Sequence, residues 1–439
     1  MNGLPNGWSL TSAIAIAEPI RGVTYKKEQA RNLPADGHIA LLRANNIQRD
    51  QLDLSDLVYV PSANIAANQL LKKNDVVIAM SSGSISVVGK SAQINADLQV
   101  SFGAFCGALR PCSEIEPRYL GHFLKSDAYR QGISNLARGV NINNLKWSHF
   151  EEIPLPLAPL PEQKRIADKL DAVLARVDAC RDRLDRLPAL LKRFRQSILA
   201  AATSGRLTED WREGESILSS WRQVQLGDYV ENHDGKRVPI SEVLRTTRRG
   251  SFPYYGASGA IDTIDSYTHE GKYLLIGEDG ANLLTRTKPI AFLAEGKIWV
   301  NNHAHVLKCK DGAPEEYLGY FINSIDLTPY VSGSAQPKLN QKNMNAIVIP
   351  VPPIPEQHEI VRRVETLFAF ADRLEARLAT ARQQVDQLTP ALLAKAFRGE
   401  LVPQDPADES ASELLKRLAA QRAETDKVAK PKRSRKAAQ

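Results

Sequence analysis

Asp279, Glu295 and Lys297 have the residue types of a metal-dependent nuclease, an acid followed by Glu-x-Lys. Two such carboxylates can hold a divalent cation beside a phosphodiester. Glu-x-Lys also arises by accident in a chain this long, and LAEGKIW reads as a turn between two strands. His303 and His305 stand two apart, so on a strand they face one side, yet no third metal ligand is evident. The stretch SSGSISVVGKS (Ser81–Ser91) approaches a phosphate-binding loop but puts five residues between Gly83 and Gly89, where that loop needs four. The residues after it, AQINADLQVSF, alternate like a strand, so no helix N-terminus would face a phosphate. No Asn-Pro-Pro-aromatic signature or glycine-rich methyl-donor loop is present. These residues assign no catalytic group and no metal site.

A different chemistry is spread more widely. Lys26, Lys27, Arg43, Asn45, Asn46, Lys90, Arg138, Asn141, Asn143 and Lys146 gather in the variable stretches of residues 1–152. Lys236, Arg237, Arg248, Arg249, Asn282, Arg286, Lys288, Asn302, His303, Gln336, Lys338 and Asn340 do so in residues 209–346. Arg and Lys suit guanine edges and phosphate, and Asn and Gln suit adenine. Any one of them could be solvated loop surface; as a set, on a chain of net charge +7, they point to nucleic acid.

The elements that must position them come in two copies. Shifting the chain by 194 residues lays Pro161-Glu162-Gln163 on Pro355-Glu356-Gln357, and no gap is needed from Ile153 to Leu207. Within each copy the apolar positions step by four and three. Ile166, Leu170, Val173, Val177, Leu184 and Leu191 mark the first stripe, and Ile360, Val364, Leu367, Leu374, Leu378 and Leu388 the second. That spacing predicts two long helices with a coiled-coil seam, each the other's nearest partner. Pro188 and Pro390 fall inside them, which predicts a kink or break in each. Gly205 and Gly399 read as helix stops.

The segments before the helices read as mixed α/β and echo each other faintly. NDVVIAMSSGS resembles KYLLIGEDGAN, PRYLGHFLKS resembles EEYLGYFINS, and ARGVNINNLKWSHFEEIPLP resembles SGSAQPKLNQKNMNAIVIP. The frameworks agree and the loops differ, which suits two modules doing one job on different targets.

At 439 residues, two or three domains are expected. Four scattered cysteines without a C-x-x-C pair indicate neither a zinc ribbon nor a disulfide framework and suit a reducing cytoplasm. The opening MNGLPNGWSL has no signal-peptide pattern, and no apolar run is long enough to span a membrane.

Two unlike modules, each followed by a Pro-x-Pro-Glu-Gln heptad helix ending near Gly-x-Leu, resemble the specificity subunit of a type I restriction-modification system. QSILAAATSGRLT and ALLAKAFRGELV resemble the helix endings of that family, and VNNHAHVLKC and SSGSISVVGKS resemble stretches of its target-recognition domains. The resemblance covers about residues 1–403. It implies an α+β chain with two globular target-recognition domains, 1–152 and 209–346, and two helical spacers, 153–208 and 347–403. The spacers would pair as an antiparallel coiled coil with pseudo-two-fold symmetry. Residues 404–439 would be a basic, disordered tail, with a short helix from Ser412 to about Ala423.

The resemblance further implies double-stranded DNA as partner, read as a bipartite, asymmetric site whose spacer the helices set. A heptad inserted in one helix would then alter the spacer and neither half-site. Two modification (methyltransferase) subunits and the restriction (ATP-dependent translocase and nuclease) subunits would dock on the chain. S-adenosylmethionine, ATP and Mg would sit on those subunits and no cofactor on this one. A coiled-coil scaffold and a stand-alone nuclease remain the alternatives.

Overall fold

The computed structural model describes residues 3–48, 50–137, 143–212, 220–333 and 336–429, the last five by backbone alone. The chain forms two compact units, residues 1–183 with 381–439, and residues 184–380.

In the first unit an antiparallel sheet runs in the order Ala17–Arg21, Cys106–Pro111, Val76–Ala79, Ser91–Gln93. The strand Val76–Ala79 is buried throughout, as its unbroken apolar run dictates. A three-stranded sheet orders Val100–Phe102, His38–Leu42 and Val58–Pro61, the first pair parallel. The second unit replaces both with one six-stranded sheet, in the order Val230–Asn232, Ala304–Cys309, His269–Gly277, Ala291–Val300, Phe252–Gly256, Gly259–Ile264.

Beneath these different sheets lies one frame. An early strand pairs with the strand leading into the long helix, Ser9–Thr11 with Leu155–Leu157 and Arg222–Gln225 with Val348–Val351. Those closing strands lie beyond residues 152 and 346. A tyrosine hydroxyl of a short helix donates to that strand, Tyr119 to Pro156 O at 2.7 Å and Tyr317 to Pro350 O. Gln163 Nε2 donates to Ala158 O at 2.8 Å, and Gln357 Nε2 to Pro352 O at 2.9 Å.

The long helices are Leu160–Thr203 and Ile354–Phe397, 44 residues each and about 66 Å at helical rise. Each begins with proline in its first turn, where a missing N–H costs no bond, and with Glu162 or Glu356 near the positive end of the helix dipole. Each stops at a glycine in the left-handed region, Gly205 at φ +73° and Gly399 at φ +74°.

Within each unit the helix segments pair antiparallel. In the first, Ile166, Leu170 and Leu174 share a core with Leu393, Ala396 and Phe397, and Arg181 bonds Asp386 at 3.3 Å. In the second, Phe194, Ile198 and Ala202 pack with Ile360, Val364, Leu367 and Phe368, and Arg195 Nη2 meets Asp372 at 2.6 Å. Of the expected seam, Ile166, Leu170, Val177, Leu191, Ile360, Val364 and Leu378 are buried, and Val173, Leu184, Leu367 and Leu374 are half-buried.

Two expectations are corrected here. Pro188 and Pro390 lie inside continuous helices and break neither. Around them the rods are open: Leu187, Leu190 and Leu388 are 37%, 49% and 44% exposed, which leaves a helix room to accommodate a proline ring. Leu388 therefore leaves the seam, and Val385 and Leu393 carry burial on either side of it.

The tail is also corrected. A helix runs from Ala411 to Ala429, longer than the short one expected. Ala411, Leu414 and Leu418 are buried in the first unit's core, and Arg422 donates to Ile14 O at 2.8 Å. An i, i+3, i+7 apolar stripe gives this segment a face to bury. Residues 430–439 lie outside the described residues.

Candidate nucleic-acid interface

Three loops meet at one edge of each unit, held by equivalent backbone bonds. In the first unit Leu145 N–H donates to Met80 O at 2.7 Å and Met80 N–H to Phe105 O at 2.8 Å. In the second, Leu339 N–H donates to Glu278 O and Glu278 N–H to His303 O, both at 2.8 Å. Ser81–Ser82 pairs with Asn143–Asn144, and Asp279 bridges Lys338. The faint echoes in the sequence are thus one device, a strand end clasped between a turn and a returning segment.

On the second unit this edge is charged. Glu278 meets Arg237 Nη1 at 2.6 Å and Lys338 Nζ at 3.1 Å. His305, 1% exposed, bridges Asp234 Oδ2 at 2.6 Å and Leu339 O at 2.9 Å, tying the returning segment to the sheet. Burial pushes Asp234 up, but His305 and Arg237 outweigh it and leave the carboxyl below its ordinary value. Glu278 is lowered likewise, burial being outweighed by Arg237, His305 and Lys338. His303 Nδ1 lies 2.8 Å from Asp279, with its side chain about half exposed.

On the first unit the same edge borders a cavity of about 510 Å³ lined by Arg21, Ala104, Cys106, Asn144, Lys146 and Trp147, among others. Lys90 is half-buried nearby in sequence, and Asn143 Nδ2 donates to Gly83 O at 3.3 Å. A strand, Ser91–Gln93, follows Lys90, as the alternation requires, so the glycine-rich stretch is a hairpin loop.

The remaining candidates divide by environment. Lys26, Lys27, Lys146, Lys236, Arg249, Lys288, Asn302 and Gln336 are exposed. Arg43 and Asn45 both bond Asp56, and Arg248 bonds Asp265 at 2.7 Å while stacking on Trp299. Asn282 folds its own loop, accepting from Lys288 N–H. Four residues turn inward. Asn46 is 1% exposed and donates to Asp53 O and Asp56 O; Asn340 caps the helix Gln341–Asn345. Arg237 is spent on Glu278, and Arg286 donates to Ile322 O and Asn323 O at a helix end, where burial lowers its pKa. These four hold loops in shape, a role that polar type alone does not separate from base contact. Arg138 and Asn141 lie outside the described residues.

Phe105, Arg21 and Glu278 were not singled out in the sequence. Phe105 sits in no polar run, and only superposing GAFC on NNHA would have marked it.

The nuclease triad does not assemble. Glu295 lies opposite Lys272, seven residues before Asp279, roughly 20 Å along an extended chain. Lys297 Nζ instead rests 4.9 Å from the Tyr267 ring centre. Among the described residues no three His, Cys, Asp or Glu are grouped to hold a metal, and no helix is long and apolar enough to cross a membrane.

Residues 16–189 and 219–381 each match the type I restriction modification DNA specificity domain. The chain belongs to the type I restriction-modification specificity subunit family. It is 40% identical to the StySPI specificity subunit of Salmonella potsdam and 38% identical to the EcoKI specificity subunit of Escherichia coli K12. In both cases 96% of each chain is covered. Among solved structures, a chain from a study of type I restriction-modification complex assembly and conformational transition shares the fold at TM-score 0.70 and 18% identity, covering 91% of this chain and all of that one. The HsdS subunit of Thermoanaerobacter tengcongensis does so at 0.59 and 19%, covering 90% and 98%. This specificity subunit carries two specificity domains, and neither alternative reading, scaffold or nuclease, is supported.

Proposed function

We propose that this specificity subunit reads a bipartite, asymmetric site on double-stranded DNA, one half with each unit. It docks two modification subunits, which methylate adenine, and the restriction subunits. The chemistry belongs to those chains, where S-adenosylmethionine, ATP and Mg bind; this subunit binds no cofactor, catalyses nothing and works in the cytoplasm.

One observation carries the reading. The two units share a clasp, yet equivalent positions hold different residues: Met80 against Glu278, Asn144 against Lys338, Phe105 against His303. A common frame with unlike edges suits two unlike half-sites, whereas identical edges on symmetric partners read palindromes.

Mapping methylated adenines in DNA modified by the assembled complex tests it. One bipartite, asymmetric motif is expected. Replacing residues 220–346 by the same segment of a relative should change one half of that motif and leave the other. A palindromic or contiguous motif overturns the reading.

A further inference from the structure

Phe105 and His303 occupy the same place in the two units, each at the turn whose carbonyl accepts the N–H of Met80 or Glu278. The turn at Phe105 is fixed twice more: Ser81 N–H donates to the same oxygen at 3.1 Å, and Cys106 N–H closes onto Gly103 O at 2.8 Å. On this doubly anchored backbone Phe105 is 68% exposed, more than any other Phe, Trp or Tyr among the described residues. An exposed phenylalanine forgoes the burial that usually holds this side chain in a core. Its sequence neighbours Ala104 and Cys106 line the cavity that Arg21, Asn144 and Lys146 also line. An exposed apolar ring on the residue between two that line a cation-bearing cavity fits a ligand that carries both phosphates and flat apolar faces.

We propose that Phe105 wedges its ring against a base step of the first half-site, and that His303 makes the equivalent contact in the second. The inference rests on the DNA-reading function and deepens it. Phe105 offers no hydrogen bond, so it selects steps that unstack cheaply, through deformability and stacking. His303, with Nδ1 engaged by Asp279, leaves Nε2 for a base edge. The same position thus works by shape in one half and by hydrogen bonding in the other.

The test uses the full chain assembled with its modification subunits, and duplexes carrying 2-aminopurine at successive positions of the mapped site. Binding should raise the fluorescence at one step of the first half-site. Phe105→Ala should abolish that rise and weaken binding roughly tenfold to a hundredfold, with the salt slope unchanged because no phosphate contact is lost. Phe105→Leu should keep part of both effects, and it serves as the assembly control. Lys146→Ala should instead lower the slope by about 1. His303→Ala should relax discrimination in the other half alone. Wild-type fluorescence and affinity in Phe105→Ala, or a loss that follows the salt slope as in Lys146→Ala, would overturn the wedge while leaving the DNA-reading function intact. A wild-type complex without sequence preference would overturn both.

Discussion

Trp8 Nε1 donates to Glu162 Oε2 at 2.9 Å across 154 residues of sequence. The second unit repeats the bond between Trp221 and Glu356 at the same distance. The surroundings then diverge. Glu356 also accepts from Thr208 Oγ1 at 2.7 Å and Arg212 Nη1 at 2.6 Å, whereas Glu162 Oε1 is buried without a partner. The 194-residue shift puts Val402 and Pro406 where Thr208 and Arg212 stand. Glu356→Gln should therefore cost about 3 kcal/mol, by leaving buried Arg212 without its counter-charge. Glu162→Gln should change stability by less than about 1 kcal/mol, since Trp8 keeps an acceptor. Denaturant unfolding of the full chain, with hydrogen exchange to separate the units, measures both.

Buried Glu162 and the carboxylates at the second unit's edge should respond to acid with opposite sign. Burial raises Glu162 above the usual glutamate value, against the opposing Trp8 bond. Its folded form thus holds a proton longer, and its contribution worsens as pH rises through the carboxylate range. Asp234 and Glu278 are lowered, so their contribution is full above the ordinary carboxylate values and is lost as pH falls through the depressed ones. Unfolding followed between about pH 3 and 6 should show Glu162→Gln removing a component that falls as pH rises, and Asp234→Asn removing part of the second unit's acid limb.

Neighbouring cations on one loop should behave differently. Lys236 is exposed; Arg237 holds Glu278 and Ala304 O. Lys236→Ala should leave stability within about 0.5 kcal/mol and lower the salt slope of DNA binding by about 1. Arg237→Ala should destabilise the second unit by about 2 kcal/mol, because Glu278 loses its nearest donor. Thermal unfolding and salt titrations separate the two.

Leu414 is 1% exposed in a helix the sequence suggested only in part. Leu414→Ala should cost about 3 kcal/mol in the first unit, and Glu413→Ala, on the exposed side, almost nothing. Differential hydrogen exchange at Tyr119 and Phe123, in the same core, reads the effect.

The helices were legible because a repeat and a heptad stripe are periodic signals. Their prolines interrupt neither helix, because a proline's effect depends on whether neighbours are packed around it, as Leu187 and Leu388 are not. The clasp showed only as weak echoes such as NDVVIAMSSGS and KYLLIGEDGAN, since its bonds are between backbone groups. Side-chain type could not divide Lys236 from Arg237 or Asn302 from Asn340. That division comes from which carboxylates and helix ends lie near, a property of the folded chain.

The first unit takes residues from both ends of the chain, whereas the second is the contiguous stretch 184–380. A ribosome that has released residue 380 has supplied everything the second unit needs, while the other still waits for Leu393, Phe397, Leu414 and Leu418. The portion synthesised first is therefore completed after the second unit, and nascent chains carry its unfinished apolar face until Leu418 has emerged.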